Sequence, residues 1–242
     1  MTKPTAIITG SGALATAFAK KLSNLNWQVA ILSRKKSPDF DGLFYECDFT
    51  QTEQVVKAVA LAQKDLGEIS AAIHTAVSPI VRKRALDISV EDFETAFSVD
   101  VFGGFAFLQS VGRLMKQQGQ GRIVALLTEA IEGKAVPAAM AGYVSAKFAV
   151  KGLLKVLHQE LEASNIAVSA LAPGFMDTPL NSDLPPRLIE FMKEQQGGKL
   201  TTPENGAEVL YQVLTLPPAE CAGKTFFVQS NQASAAPQSS DF

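Results

Sequence analysis

Tyr143 and Lys147 stand four residues apart in the segment Gly142-Tyr143-Val144-Ser145-Ala146-Lys147. Apolar residues recur at Tyr143, Ala146, Val150, Leu153, Leu154, Leu157 and Leu161, so residues 141–162 are expected to form one helix. On a helix, positions i and i+4 lie over one another on one face, which lets the phenol and the ammonium share a pocket. A neighbouring cation favours phenolate, and a tyrosine eased down from its usual pKa of about 10 is a usable acid or base near neutral pH. An amphipathic helix without any chemistry has the same spacing. The rest of the chain decides between the two.

A second set of residues lies near the start. Thr5-Ala6-Ile7-Ile8-Thr9 suits a buried parallel strand, and Gly10-Ser11-Gly12-Ala13-Leu14-Ala15 follows it as G-x-G-x-x-A before a helical pattern over 13–24. Glycines between a strand and a helix let backbone N–H groups approach a pyrophosphate, which points to a dinucleotide. At the end of the second strand an acidic residue would bond the ribose hydroxyls of NAD. The chain has Ser33-Arg34-Lys35-Lys36 there instead. Arg34 can pair with a 2′-phosphate, and Ser33 removes the repulsion of an Asp, so NADP(H) is expected over NAD(H). A solvated basic turn is the other explanation.

The elements that must position these groups alternate. Strands are expected at 5–9, 27–32, 43–47, 70–75, 122–128, 167–171 and 225–228. Helices are expected at 13–24, 51–66, 89–118 with a bend near Gly103-Gly104, 141–162, 184–195 and 203–214. The alternation predicts an α/β fold, a doubly wound parallel sheet of about seven strands with helices on both faces. With no composition break or repeat, residues 1–231 are expected to form one domain and 232–242 a flexible tail.

Bulk numbers exclude several classes. The chain has 242 residues, 47% hydrophobic and 19% charged, enough for one sizeable core. A net charge of −2 without a long basic run gives no support for nucleic acid or a membrane surface as partner. No apolar stretch is long enough to span a bilayer. Cys47 and Cys221 have no metal-ligand spacing and suit a reducing compartment, so no metal is expected and the expected location is the cytoplasm.

With the strand, glycine turn, Ser-Arg and YxxxK in this order, the sequence resembles the short-chain dehydrogenase/reductase family from Thr5 to about Asn231. The resemblance implies a Rossmann-like fold and hydride transfer between a nicotinamide and a carbonyl or alcohol carbon. It implies that Asp48 and Phe49, in Cys47-Asp48-Phe49-Thr50, lie at the adenine. Pro173, Gly174, Met176 and Thr178, in the Pro-Gly segment, would hold the nicotinamide end, and Thr75 and Ala76 would line the cofactor. Tyr143 becomes the proton donor, and Lys147 lowers its pKa and orients the ribose. The family's catalytic serine falls on Thr128 when the strand Gly121-Arg122-Ile123-Val124 is aligned, and on Ala130 when residues are counted back from Tyr143. Thr128 is favoured because it keeps a hydroxyl. The family's relay Asn is Asp100 here, a carboxylate that would hold the relay water and stabilise protonated Lys147.

The family's T-G-x-x-x-G-x-G places Leu14 and Thr16 at glycine positions, and its Asn-Asn-Ala-Gly reads His74-Thr75-Ala76-Val77. His74 is expected to be a packed strand-end residue. The expected activity is NADPH-dependent reduction of a small-molecule carbonyl, a ketone or 3-oxoacyl thioester. Segment 177–200 would supply an apolar lid from Leu184, Leu188, Ile189, Phe191 and Met192. A reductase fold that binds nucleotide without turnover and an NAD-dependent alcohol dehydrogenase are the alternatives. The resemblance also suggests a homo-oligomer, a dimer or tetramer, with residues 101–108 as a candidate interface.

Overall fold

The structure, a computed structural model, describes residues 3–133, 139–228 and 237–242. Its strands are β1 (Thr5–Thr9), β2 (Gln28–Ser33), β3 (Leu43–Glu46), β4 (Ala71–His74), β5 (Gly121–Leu126), β6 (Ile166–Pro173), β7 (Lys224–Val228) and β8 (Ser239–Asp241). They form one eight-stranded sheet in the order β3-β2-β1-β4-β5-β6-β7-β8. The first seven pair in parallel. Every residue of β1, β4 and β6 is buried, as a strand covered on both faces requires.

Helices α1 (Ala13–Asn24), α2 (Thr52–Leu66), α3 (Val90–Ala96), α4 (Gly104–Gln118), α5 (Ala141–Leu161), α6 (Pro186–Gln195), α7 (Pro203–Thr215) and α8 (Pro218–Cys221) complete the chain. On one face Phe18 and Leu22 of α1 and Val209, Leu210 and Val213 of α7 pack against Ile8, Ile31 and Phe226. On the other, Val59 of α2, Phe107 and Met115 of α4 and Leu154 of α5 pack against Ile7 and Val168. The order reverses between β1 and β4, and a crevice opens at the carboxyl ends of strands at such a switch point.

Three local differences from the expected elements have physical causes. The expected helix at 89–118 is broken into α3, wide π-helical turns over Phe97–Gly103, and α4. A Cβ on Gly103 would stand 2.3 Å from the Phe49 carbonyl oxygen, and one on Gly104 would stand 2.8 Å from His74 Nε2. The glycine pair therefore lets the helix press onto the ends of β3 and β4. Second, Leu14 is buried at a position where the family has glycine, and its Cδ1 would lie 2.7 Å from a Cβ on Gly206. The close approach of α1 and α7 is thus made by a glycine on α7.

The third difference is the eighth strand, drawn from the segment expected to be a tail. An uncovered β7 would present a row of unpaired N–H and C=O groups. β8 pairs with it antiparallel instead. Phe242 fastens the end: its N–H donates to the Gly223 oxygen at 2.9 Å, Lys155 Nζ donates to its oxygen at 2.9 Å, and its ring stands edge-on to His158. The part of the expected tail at 232–236 lies outside the described residues. Among the described residues, no helix is long and apolar enough to cross a membrane.

Candidate active site

Helix α5 carries Tyr143 and Lys147 on one face, with the Lys147 ammonium 5.6 Å from the centre of the Tyr143 ring. Tyr143 is half-buried and stands on the wall of a large cleft. Lys147 is 2% exposed and lies beneath that wall, where its Nζ donates to the Leu126 carbonyl at 3.0 Å. Asp100 is 0% exposed; its Oδ1 forms an ion pair with Lys147 Nζ at 3.5 Å and its Oδ2 accepts from the Ser78 N–H at 3.0 Å. Asp100 thus sits where its charge stabilises protonated Lys147, as the sequence led one to expect. Neither Lys147 nor Asp100 reaches the cleft lining.

Thr128 does reach it, just past β5 and at the head of a short 3-10 turn over Glu129–Ile131. Its hydroxyl oxygen accepts from the Ala130 N–H at 3.3 Å, which leaves its own proton free to donate. Lys151, one turn beyond Lys147, holds Glu132 at 2.7 Å and so ties this turn to α5.

The altered motif after β4 is stitched by a residue that sequence reasoning passed over. Thr9 Oγ1 accepts the N–H groups of Thr75 and Ala76, both at 3.0 Å, and lies 2.9 Å from His74 Nδ1. With both lone pairs used, the hydroxyl must give its proton to Nδ1, so neutral His74 carries its hydrogen on Nε2. The Thr75 hydroxyl completes the tie by donating to the Thr9 carbonyl. His74 is 1% exposed between the rings of Phe49 and Phe107, the packed strand-end residue expected. Burial, helped by the Lys147 charge and opposed by the Asp100 carbonyl, pulls its pKa down to about 3.

The cleft, about 1840 Å3, runs along the carboxyl ends of the strands. Every residue expected at the cofactor except Lys147 lines it: Gly10, Ser11, Gly12, Ala13 and Leu14 of the turn, Ser33 and Arg34 after β2, Asp48 and Phe49 after β3, and Thr75 and Ala76 after β4. Tyr143, Pro173, Gly174, Met176 and Thr178 line it from the other side. Gly10 has φ +81°, and a Cβ there would meet the Ala76 backbone at 3.2 Å, so only glycine makes this turn without strain. A Cβ on Gly12 would meet nothing within 4 Å. Gly12 also caps α1 without any side-chain bond to the helix's first N–H groups. An open space over a bare helix N-terminus fits a pyrophosphate. Ser33 is fixed by a 2.8 Å contact with the Ser11 hydroxyl, and Arg34 beside it is exposed.

At the opposite end, Leu184, Leu188 and Met192 face the cleft at four-residue spacing along α6 and the turn before it. Ile189 lines a smaller neighbouring pocket and Phe191 is 52% exposed, so these two are not part of the lid over the cleft. Arg82 pins the segment before α6. Its Nε reaches Asp183 Oδ2 at 3.2 Å, and its Nη2 donates to Asn181 Oδ1 at 2.9 Å and the Leu180 carbonyl at 3.3 Å. Glu129, beside Thr128, also lines the cleft, and burial raises its pKa. Neither residue stands out in the sequence, because nothing local distinguishes them from surface charges. No cluster of His, Cys, Asp and Glu among the described residues could hold a metal ion.

Comparison with known proteins agrees with this geometry. The family model described as short chain dehydrogenase matches residues 4–188. The chain belongs to the short-chain dehydrogenase family. The short-chain reductase protein NovJ of Streptomyces niveus is 30% identical over 195 residues, covering 77% of this chain and 72% of that protein. The 3-oxoacyl-[acyl-carrier-protein] reductase MabA of Mycobacterium tuberculosis (strain ATCC 25618 / H37Rv) is 25% identical over 226 residues, covering 93% and 84%. In fold, the chain matches a 3-ketoacyl-(acyl-carrier-protein) reductase from Brucella melitensis complexed with NADH, with TM-score 0.84, 21% identity and coverage of 96% and 98%. Levodione reductase matches with TM-score 0.86, 20% identity and coverage of 97% and 99%. These relatives are oxidoreductases acting on CH–OH or C=O groups, and the short-chain dehydrogenase fold binds a nicotinamide nucleotide.

Proposed function

We propose that this short-chain dehydrogenase is an NADP(H)-dependent carbonyl reductase, with residues 10–14, 33–34, 48–49 and 75–76 and Tyr143, Lys147, Pro173, Gly174, Met176 and Thr178 holding the nucleotide. The observation that carries the proposal is Tyr143 on the cleft wall with the Lys147 ammonium 5.6 Å from its ring centre, in the cleft that Thr128 and the glycine turn also line. Bound there, the nucleotide supplies the hydride to the substrate carbon. Thr128 donates its free hydroxyl proton to the substrate oxygen and fixes its position. Tyr143 gives a full proton to that oxygen as negative charge develops on it. The Lys147 cation, held by the Leu126 carbonyl and Asp100, stabilises the phenolate left behind.

NADP(H) over NAD(H) rests on Ser33 and the exposed Arg34, with no carboxylate in residues 33–36. The apolar lid and the likeness to MabA, a 3-oxoacyl-[acyl-carrier-protein] reductase, favour a ketone or 3-oxoacyl thioester as substrate. A homo-oligomer of single-domain chains is part of the same proposal, supported by the exposed Phe102, Phe105 and Phe148 on α5 and the run into α4. Absorbance of NADPH and NADH with a panel of ketones and a 3-oxoacyl thioester tests the activity. Tyr143→Phe is expected to lower kcat at least about a thousandfold while nucleotide affinity stays within about threefold. Unchanged turnover in that variant removes the mechanism.

A further inference from the structure

We infer that Glu129 is a specificity residue that selects carbonyl substrates bearing a protonated amine; the inference rests on the reductase reading above. Glu129 follows Thr128 directly, at the start of the 3-10 turn, and its side chain lines the cleft. The seat of its carboxylate is built by a missing side chain. A Cβ on Gly174 would stand 2.5 Å from Glu129 Oε2, so the carboxylate occupies the space any other residue at 174 would fill. The Gln196 amide nitrogen lies 3.2 Å from the same point and donates to the Phe175 carbonyl, closing the seat from the lid side.

No lysine, arginine or histidine among the described residues pairs with this carboxylate. The other charges on the cleft wall do not compensate it. Lys20, Arg34, Asp39 and Asp48 belong to the half formed by β1, β2 and β3, and Glu204 opens α7. Arg82 commits its guanidinium to Asp183 at 3.2 Å, Asn181 and the Leu180 carbonyl. Lys147 is buried against Asp100. The position next to the proposed substrate-holding hydroxyl therefore carries a negative charge with no cationic partner among the described residues, on a side chain that is exposed and lines the cleft. A cationic group on the substrate would pair with that carboxylate, and the apolar wall of Leu184, Leu188 and Met192 would take its hydrocarbon part.

The test compares two ketones of one ring size, 1-methyl-4-piperidone, protonated at neutral pH, and cyclohexanone. Their kcat/KM values with NADPH are measured for the wild type and Glu129→Gln. The ratio of charged to neutral ketone is expected to exceed 10 in the wild type and to fall at least tenfold in the variant. A ratio that Glu129→Gln leaves unchanged overturns the inference. A calorimetric titration of 1-methyl-4-piperidinol and cyclohexanol into NADP+-saturated protein reads the same selectivity without turnover. If neither ketone is reduced yet the amino alcohol binds at least tenfold tighter in a Glu129-dependent way, the reductase reading fails and the site stands. Equal affinity of the two alcohols for the wild type overturns the site whatever the enzyme does.

Discussion

Burying an ammonium and a carboxylate together leaves each dependent on the other. Asp100 and Lys147 are 0% and 2% exposed, and removing one strands the other's charge in a dry interior. Asp100→Leu is therefore expected to cost about 3–5 kcal/mol of stability, read from the urea midpoint. Asp100→Leu with Lys147→Met should recover much of that loss, since no charge is then left unpaired; a double variant as weak as the two losses combined would contradict the pairing. His74 makes a second claim at this scale. Its folded pKa of about 3 lies below the ordinary 6.5, so between those values the unfolded chain binds a proton that the folded chain refuses. Stability from this residue is present above pH 6.5 and is lost as pH falls toward 3, with a slope of up to about 1.4 kcal/mol per pH unit. Urea unfolding of His74→Asn should show a flatter fall between pH 6 and 4 than the wild type. The sequence displayed Tyr143 and Lys147 because their spacing is a helical contact. It concealed the role of Thr9, whose partner His74 lies 65 residues away.

Among the elements, glycine marks where helices touch the sheet, and the space around each glycine decides what a methyl group does. At Gly103 the nearest neighbour of a new Cβ is the Phe49 backbone oxygen, 2.3 Å away, which moves only if the loop between β3 and α2 backs away from the helix. Gly103→Ala is expected to lose about 3 kcal/mol, the upper end for overpacking. At Gly152, inside α5, nothing lies within 4 Å, and Gly152→Ala should gain about 0.5–1 kcal/mol from helix propensity alone. Thermal melting of the two variants separates these signs; a stabilised Gly103→Ala would contradict the packing described. The central strands were legible because a buried parallel strand needs a continuous apolar run, as in Thr5–Thr9. β8 was not, because Ser239, Ser240 and Asp241 carry no strand signal, and their pairing is imposed by the open edge of β7. The π-helical turns over Phe97–Gly103 were foreseen only as a bend, since the glycines announce a close approach without saying what they approach.

For the molecule as a whole, the cleft brings together residues 10 to 204 of the chain, and the sequence placed the parts of its wall that follow the ends of β1, β2, β3, β4 and β6. The proposed preference between two nicotinamide nucleotides rests on one strand end, where Ser33 is buried and bonded to Ser11 while Arg34 is exposed. The two nucleotides differ by a phosphate carrying about two negative charges, so the sign of the charge at this point sets their order. Ser33→Asp places a carboxylate on the cleft wall, where it repels a 2′-phosphate and can accept from ribose hydroxyls. The ratio of kcat/KM for NADPH to that for NADH should fall at least tenfold, with a rise in KM for NADPH carrying most of the change. Because a buried serine is being replaced, the loss of the Ser11 contact could by itself weaken both nucleotides equally; Ser33→Ala measures that effect and should leave the ratio within about threefold. A ratio that moves as far in Ser33→Ala as in Ser33→Asp would mean that shape, and not charge, chooses the cofactor here.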